Sequence, residues 1–426
     1  MLRRHLSANI LDSLEDFPVV LLIGARQVGK STLVQDLAKE AWPARYLTLD
    51  ERTVLDAALT NPDGLIQELG RQPVILDEVQ RAPDLIRAIK LVVDRNRRPG
   101  MFLLTGSANV LTMANVSETL AGRVAVHELL PFSWLELLKK PKPSAIELLF
   151  TSPDPKTVIT DLASTSSPAR LKEVQDLILS GGFPTPSLMK RPGARRTWFE
   201  SYRQTYLERD LRDLAAIKHL PDFGRLMTTL ALRTGQMLNY SALSRDVGLT
   251  VTTLRRYFGI LEQTFQAYPL YPYSANVGKR LVKTPKSYLT DTGLACHLSA
   301  ASDWPTLVQR HQAGQMVETW VAGELRKVIS LAGDRIDIWY WRTRGGREVD
   351  FILEKGGDLV GLEVKLGAGF SKKDLAGLKD CREAFGPRWR YGILLYGGTE
   401  VVPLEDRLVA MPFGVFFGRE TKTGIE

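Results

Sequence analysis

The segment LLIGARQVGKSTL, Leu21 to Leu33, decides how the first third of the chain is read. The apolar run Val19–Ile23 has the length of a buried strand, and from Thr32 onward the spacing is helical. Between them, Gly24-Ala25-Arg26-Gln27-Val28-Gly29-Lys30-Ser31 satisfies G-x-x-x-x-G-K-[ST] at every position, in the strand–loop–helix setting the motif requires. The glycines let the backbone wrap a polyphosphate, and the loop amides and helix N-terminus favour negative charge. On this reading Gly24 through Thr32 form the cradle for ATP. Lys30 reaches the β- and γ-phosphates, and the Ser31 hydroxyl takes Mg²⁺.

Hydrolysis also needs a carboxylate on the metal and a group that orients water. Val74-Ile75-Leu76-Asp77-Glu78 is an apolar strand ending in two acids, which predicts Asp77 at the Mg²⁺ and Glu78 at the attacking water. A third run, Phe102-Leu103-Leu104, ends in Thr105-Gly106-Ser107-Ala108-Asn109, which offers Ser107 or Asn109 to the γ-phosphate or the water. Val19–Ile23, Arg45–Leu49, Val74–Leu76 and Met101–Leu104 alternate with helix-like stretches. That alternation predicts an α/β domain with a parallel sheet over residues 1–150.

The P-loop, the strand ending LDEVQ, the GSAN segment and ETLAGRV (Glu118–Val124) together resemble the AAA-type ATPases of bacteria and archaea that carry a C-terminal DUF4143 region. The resemblance covers nearly the whole chain. It implies a P-loop ATPase followed by a helical lid, a winged helix and a nuclease-like end. By the same resemblance Arg123 stands where such proteins carry an arginine finger, reaching the γ-phosphate of a neighbouring subunit. That implies a homo-oligomer, in the form of a hexameric ring. Tyr206–Leu211 resembles a characteristic stretch of the same family, and its alternating charges are assigned no chemistry.

The chain has 426 residues, 44% of them hydrophobic and 24% charged, within the range of soluble multidomain proteins. Its two cysteines, Cys296 and Cys381, are far apart and lack metal-ligand spacing, which argues against a disulfide framework or a zinc site. No segment approaches the ~20 apolar residues of a membrane span. The N-terminus carries acids where a signal peptide needs an apolar stretch. The expectation is a reduced, cytoplasmic protein without a membrane partner.

The net charge is +8, and it is unevenly placed. Residues 201–290 hold thirteen Lys or Arg against six Asp or Glu, so this one segment equals nearly the whole excess. A Ser-, Thr- and Pro-rich stretch at 151–169 and helical periodicity after it predict a linker and helical lid over 151–225. In 226–305, LNYSALSRDVGLTVTTLRRYFGILEQ reads as helix, turn at Gly248 and second helix capped by Thr250. Two strand-like pieces follow around Gly278, and the whole resembles a winged helix with a basic wing. Thr252, Thr253, Arg255 and Arg256 on the second helix, with Lys279, Arg280, Lys283 and Lys286 on the wing, are the candidate DNA contacts. Lysine and arginine without interleaved aromatics predict phosphate contacts to duplex or branched DNA with weak sequence preference.

Residues 306–426 begin with a helix, MVETWVAGELRKVIS, followed by strands, a second helix and a last strand, YGILLYG. Asp350, Glu363 thirteen positions on, and Lys365 two beyond it resemble the PD-(D/E)XK nuclease core. Glu318 on the preceding helix is the additional acid such folds carry. Val349 stands where that pattern has a proline. The resemblance implies a second Mg²⁺ site on Asp350 and Glu363, with Lys365 and Glu318 beside it. The leading expectation is a Mg²⁺-dependent ATPase that translocates on or remodels DNA, including branched forms such as Holliday junctions. The alternatives are an ATP-gated nuclease and a nucleotide switch that docks a protein partner.

Overall fold

The computed structural model describes residues 2–107, 119–152, 158, 171–205, 217, 219–274, 284–343, 345–405 and 407–418. The chain divides into two compact units: residues 1–132 with 261–266, and residues 133–260 with 267–426. The helical middle, its small sheet and the C-terminal sheet therefore belong to one unit, where the sequence reads as separate domains.

In the first unit α1 (Leu6–Asp16) leads into a five-stranded, all-parallel sheet ordered β2-β3-β4-β1-β5. The strands are β1 (Val19–Ile23), β2 (Arg45–Thr48), β3 (Val74–Asp77), β4 (Phe102–Gly106) and β5 (Val124–Glu128). Every residue of β1, β3 and β4 is buried. That explains why these strands read as continuous apolar runs and not as alternating ones: helices cover both faces of a parallel sheet. Two of these helices are α2 (Lys30–Glu40) and α3 (Leu85–Arg95). The core joins Leu21 and Ile23 with Leu76, Leu104, Ile86 and Ile89. β4 lies between β1 and β3, with Leu22 beside Thr105 and Leu76 beside Leu104. This order sets the P-loop, the acidic pair and the Thr105–Ser107 turn along one carboxyl edge of the sheet, the edge where open α/β sheets bind ligands.

The second unit begins with short helices and continues with α4 (Leu171–Ser180), α5 (Pro192–Thr205) and α6 (Leu220–Leu232). Then come β6 (Gln236–Met237), α7 (Tyr240–Val247), α8 (Val251–Gln263, whose residues from Leu261 on are counted with the first unit), β7 (Ala267–Leu270) and β8 (Lys286–Leu289). The small sheet is antiparallel and ordered β6-β8-β7. Helix, strand, two helices and a hairpin in this order form a winged-helix arrangement. Asn239 caps α7 through the Ala242 amide at 3.0 Å, and Gly248 ends it at φ 75. Thr250 accepts from the Thr253 amide at 3.2 Å, the cap the sequence predicts for α8.

The last part is α10 (Ala313–Ile329), reached through α9 (Thr292–Leu298), followed by the antiparallel meander β9 (Asp337–Arg342), β10 (Glu348–Lys355) and β11 (Asp358–Lys365). α11 (Ala376–Phe385) then crosses over to β12 (Trp389–Tyr396), parallel to β11. β12 is not the last strand. β13 (Val402–Glu405) and β14 (Leu408–Pro412) extend the sheet to six strands, ordered β13-β14-β12-β11-β10-β9. Val402–Glu405 alternates half-buried with exposed positions, and Pro403 obscures it as a strand. The winged part and the C-terminal sheet share packing: Tyr273 lies in the core with Val349, Ile352 and Trp389, and the Tyr340 hydroxyl donates to the Thr284 carbonyl at 2.6 Å. Those contacts are why the two regions form one unit.

Candidate functional site

The P-loop leaves β1 at Gly24, whose φ is +149; a Cβ there would stand 2.4 Å from the Leu129 carbonyl oxygen. Gly29, at φ 97, caps α2, whose first turn holds no acid. The two glycines thus turn the chain so that an uncompensated helix N-terminus faces the loop, the electrostatic setting of an anion site. Lys30 is buried, and its ammonium donates to the carbonyls of Gly24 and Ala25 at 2.9 and 3.0 Å. Those carbonyls hold the cation in the cradle where a bound phosphate would draw it. Ser31 and Thr32 follow in the first turn of α2.

Asp77 ends β3 and is 2% exposed. The Tyr46 hydroxyl of β2 donates to one of its oxygens at 2.6 Å, and the Thr105 hydroxyl donates to the other. Burial, then the bond to Asp77, pushes the Tyr46 phenol up to about 12, so it stays a donor. Thr105 also accepts from the Glu78 amide at 3.3 Å, which ties the two acids to β4. Glu78 occupies the left-handed region at φ 61, an uncommon place for a side chain of its size. Its carboxylate accepts from the amide of Gln80 and from the Ser107 hydroxyl at 3.2 Å, and Gln80 also donates to Ser107 at 3.2 Å.

Glu78 and Ser107 are therefore brought together as the sequence predicts, whereas Asn109 lies outside the described residues. Sequence reasoning misses Tyr46, Gln80 and Thr105. It also misses Arg4, whose guanidinium donates to the Val28 carbonyl at 3.1 Å and sits 4.5 Å from the Phe132 ring. Thr105 had a signal, since it stands in the quoted strand-end segment beside Ser107. Arg123, just before β5, donates to the Asp94 carboxylate of α3 and to the Ala121 carbonyl at 2.8 Å. It is thus paired within its own subunit.

On α8, Thr252, Arg255 and Arg256 are exposed and Thr253 is half-buried. The Arg255 and Arg256 guanidinia lie 5.0 and 5.4 Å from the rings of Tyr240 and Tyr257. Lys279, Arg280 and Lys283 lie outside the described residues. Lys286 corrects the sequence reading. It is 3% exposed, and its ammonium lies 2.9 Å from Glu318, 2.5 Å from Glu348 and 3.6 Å from Asp350. A buried ammonium shared among carboxylates has no surface on which to meet a DNA phosphate.

The same contact bears on the nuclease-like residues. Asp350 and Glu363 lie on the adjacent strands β10 and β11, with Glu318 on α10, so the fold collects all three. Asp350 accepts from the Val364 amide at 2.9 Å, and Glu363 accepts from Lys365 at 2.9 Å. Burial first, then the charge of Asp350, pushes Glu318 up to about 7 and Glu363 up to about 8. Among the described residues no group of three or more His, Cys, Asp or Glu side chains is arranged to hold a metal ion. The donor set is crowded by cations instead, and the implied metal does not fit.

A parallel sheet with a complete P-loop at one strand end and a paired Asp–Glu at another defines a P-loop ATPase domain of the AAA type. Residues 16–138 match the family model described as an AAA domain, and residues 313–416 match the domain of unknown function DUF4143. Residues 171–305 match a separate model, the domain of unknown function DUF8612. The chain belongs to the family of AAA-domain proteins with a C-terminal DUF4143 region. It is 31% identical over 413 residues to the uncharacterized proteins Rv2008c of Mycobacterium tuberculosis and Mb2031c of Mycobacterium bovis, covering 96% of this chain and 83% of each relative.

Among solved structures it is similar to a Walker-type ATPase of Pyrococcus abyssi (TM-score 0.43, 16% identity, 70% of this chain and 96% of that one). It is also similar to a signal-transduction ATPase with a tetratricopeptide repeat sensor from Pyrococcus horikoshii (TM-score 0.25, 12% identity, 77% of this chain and 49% of that one). Among the described residues no helix is long and apolar enough to cross a membrane.

Proposed function

We propose that the protein is a Mg²⁺-dependent ATPase that engages DNA through its winged helix and couples hydrolysis to movement along, or remodelling of, duplex or branched DNA. The observation that carries the ATPase part is the convergence of Lys30, Asp77 and Glu78 on one edge of the parallel sheet, with Ser107 and Gln80 on the Glu78 carboxylate. Lys30 binds and orients the phosphates. Ser31 and Asp77 are the residues that would hold Mg²⁺, which when bound offsets charge on the phosphates. Glu78 takes the proton of the attacking water, and its two donors fix where that carboxylate points. Tyr46 and Thr105 donate to the two Asp77 oxygens and so fix how that carboxylate is oriented.

The DNA part is supported by the exposed Arg255 and Arg256 on α8 and by the basic balance of residues 201–290. Arg123 enters as a trans-acting group only in an oligomer, where it must exchange Asp94 for a neighbour's phosphate.

ATP turnover measured with and without single-stranded, duplex and four-way-junction DNA at fixed low salt tests this reading, with Glu78→Gln as the control. Strong stimulation by one form names the substrate. Intact hydrolysis with a flat response to every form sinks the motor and favours the nucleotide-switched docking of a protein partner.

A further inference from the structure

The fold implied for the C-terminal part carries a divalent metal among its acids, and the side chains found there disagree with that. β8 runs through the middle of the small winged-helix sheet and delivers Lys286 into the carboxylates of α10 and β10. Its ammonium, on a side chain 4% exposed, lies 2.9 Å from Glu318, 2.5 Å from Glu348 and 3.6 Å from Asp350. Several of the other acceptor positions are committed as well. The Tyr288 hydroxyl donates to the same Glu318 oxygen at 2.6 Å, and the second Asp350 oxygen takes the Val364 amide. Arg342 approaches Glu348 at 3.6 Å, and Lys365 holds Glu363. The second oxygen of Glu363 is buried without a partner. A divalent ion brought among these acids would meet a buried ammonium in the same space.

We propose that Lys286 is the resident cation of this centre. It stands in for a metal, so the C-terminal part binds no divalent ion and cuts no DNA. Its acids instead clamp β8, joining the winged helix to the C-terminal sheet through charge. A buried ammonium that neutralises several carboxylates stabilises only while the set is complete; removing it leaves uncompensated charge. The proposal therefore predicts that a metal becomes welcome once the lysine is gone.

The test uses the full chain without nucleotide, with thermal unfolding and Mn²⁺ binding followed by electron paramagnetic resonance. Wild type is expected to gain nothing in Tm from Mn²⁺ that depends on Asp350. Lys286→Met should melt several degrees lower, recover most of that loss in Mn²⁺, and acquire a Mn²⁺ site. Adding Asp350→Asn to Lys286→Met should weaken that site at least tenfold and abolish the recovery. A Lys286→Met protein that Mn²⁺ neither binds nor rescues overturns the proposal. So does a wild-type Mn²⁺ site that Asp350→Asn removes, a measurement that decides the matter even where Lys286→Met does not fold.

Discussion

The side-chain amide of Gln80 donates to the carboxylate of Glu78 two residues before it, on the oxygen that also accepts from Ser107. The Glu78 backbone sits in the left-handed region, so its position is held from outside by these donors and by the bond from its amide to Thr105. Replacing Gln80 with Ala removes one of two restraints on the side chain assigned to the attacking water. Losing a hydrogen bond to a charged group is worth roughly 1.5–3 kcal/mol. Gln80→Ala is therefore expected to lower kcat about tenfold or more and to leave KM for ATP nearly unchanged. Steady-state ATPase kinetics check it; an unaltered kcat removes Gln80 from the machinery.

Lys30 makes a second, separable prediction. Its ammonium donates to the P-loop carbonyls of Gly24 and Ala25 at 2.9 and 3.0 Å, and these are weaker acceptors than phosphate oxygens. Lys30→Ala should weaken ATP binding by roughly 10- to 100-fold, the worth of one or two charge-assisted bonds. The stabilisation that saturating ATP confers on wild type in a melting experiment should shrink accordingly. A variant stabilised by ATP as strongly as wild type would contradict the assignment.

The P-loop and the Asp77–Glu78 pair were legible because each is a contiguous motif whose chemistry is local. The residues that hold them were not. Tyr46 reaches Asp77 across 31 positions and Thr105 across 28, and nothing in a strand tyrosine announces its partner. Lys286 is misleading in sequence for the same reason, with the opposite sign. Beside Pro285 and among wing lysines it looks like a surface charge, and only Glu318, Glu348 and Asp350, brought in by later elements, bury it. Asp350, Glu363 and Glu318 are legible as a group, but the sequence does not reveal the ammonium that lies against Asp350, Glu318 and the further acid Glu348. The edge strand β13 is hard to read because it is short and pairs with β14 alone among the described strands.

The carboxylate centre should impress its own pH dependence on stability. Burial and neighbouring negative charge raise Glu363 to about 8 and Glu318 to about 7 in the folded chain, while in the unfolded chain a glutamate titrates near 4.5. Between those limits the folded state binds more protons than the unfolded one, so stability falls as pH rises from about 4.5 to 8. The Tm of the second unit is expected to drop over pH 5 to 8 by at least about 2–4 °C, the effect of ~1 kcal/mol on a unit of this size. Glu363→Gln should flatten part of that slope. Calorimetry across the interval checks both, and a Tm that climbs with pH in wild type would refute the account.

Arg255 and Arg256 carry the DNA proposal, and they are assigned phosphates and not bases. Changing both to Ala should weaken binding to unrelated sequences about equally and reduce the slope of log K against log salt by about 2, near one unit per lost contact. Fluorescence anisotropy at several salt concentrations measures the slope. Unchanged affinity with an unchanged slope would take DNA off this helix.

Arg123 gives the sharpest test of assembly. Within its own subunit it is engaged by Asp94, whose carboxyl is held below the usual range first by Lys90 and then by Arg123 itself. A residue serving only this partly exposed pair would change stability little when removed. As a finger acting on a neighbour's nucleotide, Arg123→Ala should cut kcat by about 10³ while ATP affinity persists. The two roles separate in mixtures. Arg123→Ala subunits keep an intact Glu78, and Glu78→Gln subunits keep an intact Arg123. Mixing the two inactive proteins should restore turnover at sites where an Arg123→Ala subunit receives its neighbour's arginine. Restored activity requires both an oligomer and a trans-acting Arg123, whereas two inactive proteins that stay inactive when shown to co-assemble would confine Arg123 to its pair with Asp94.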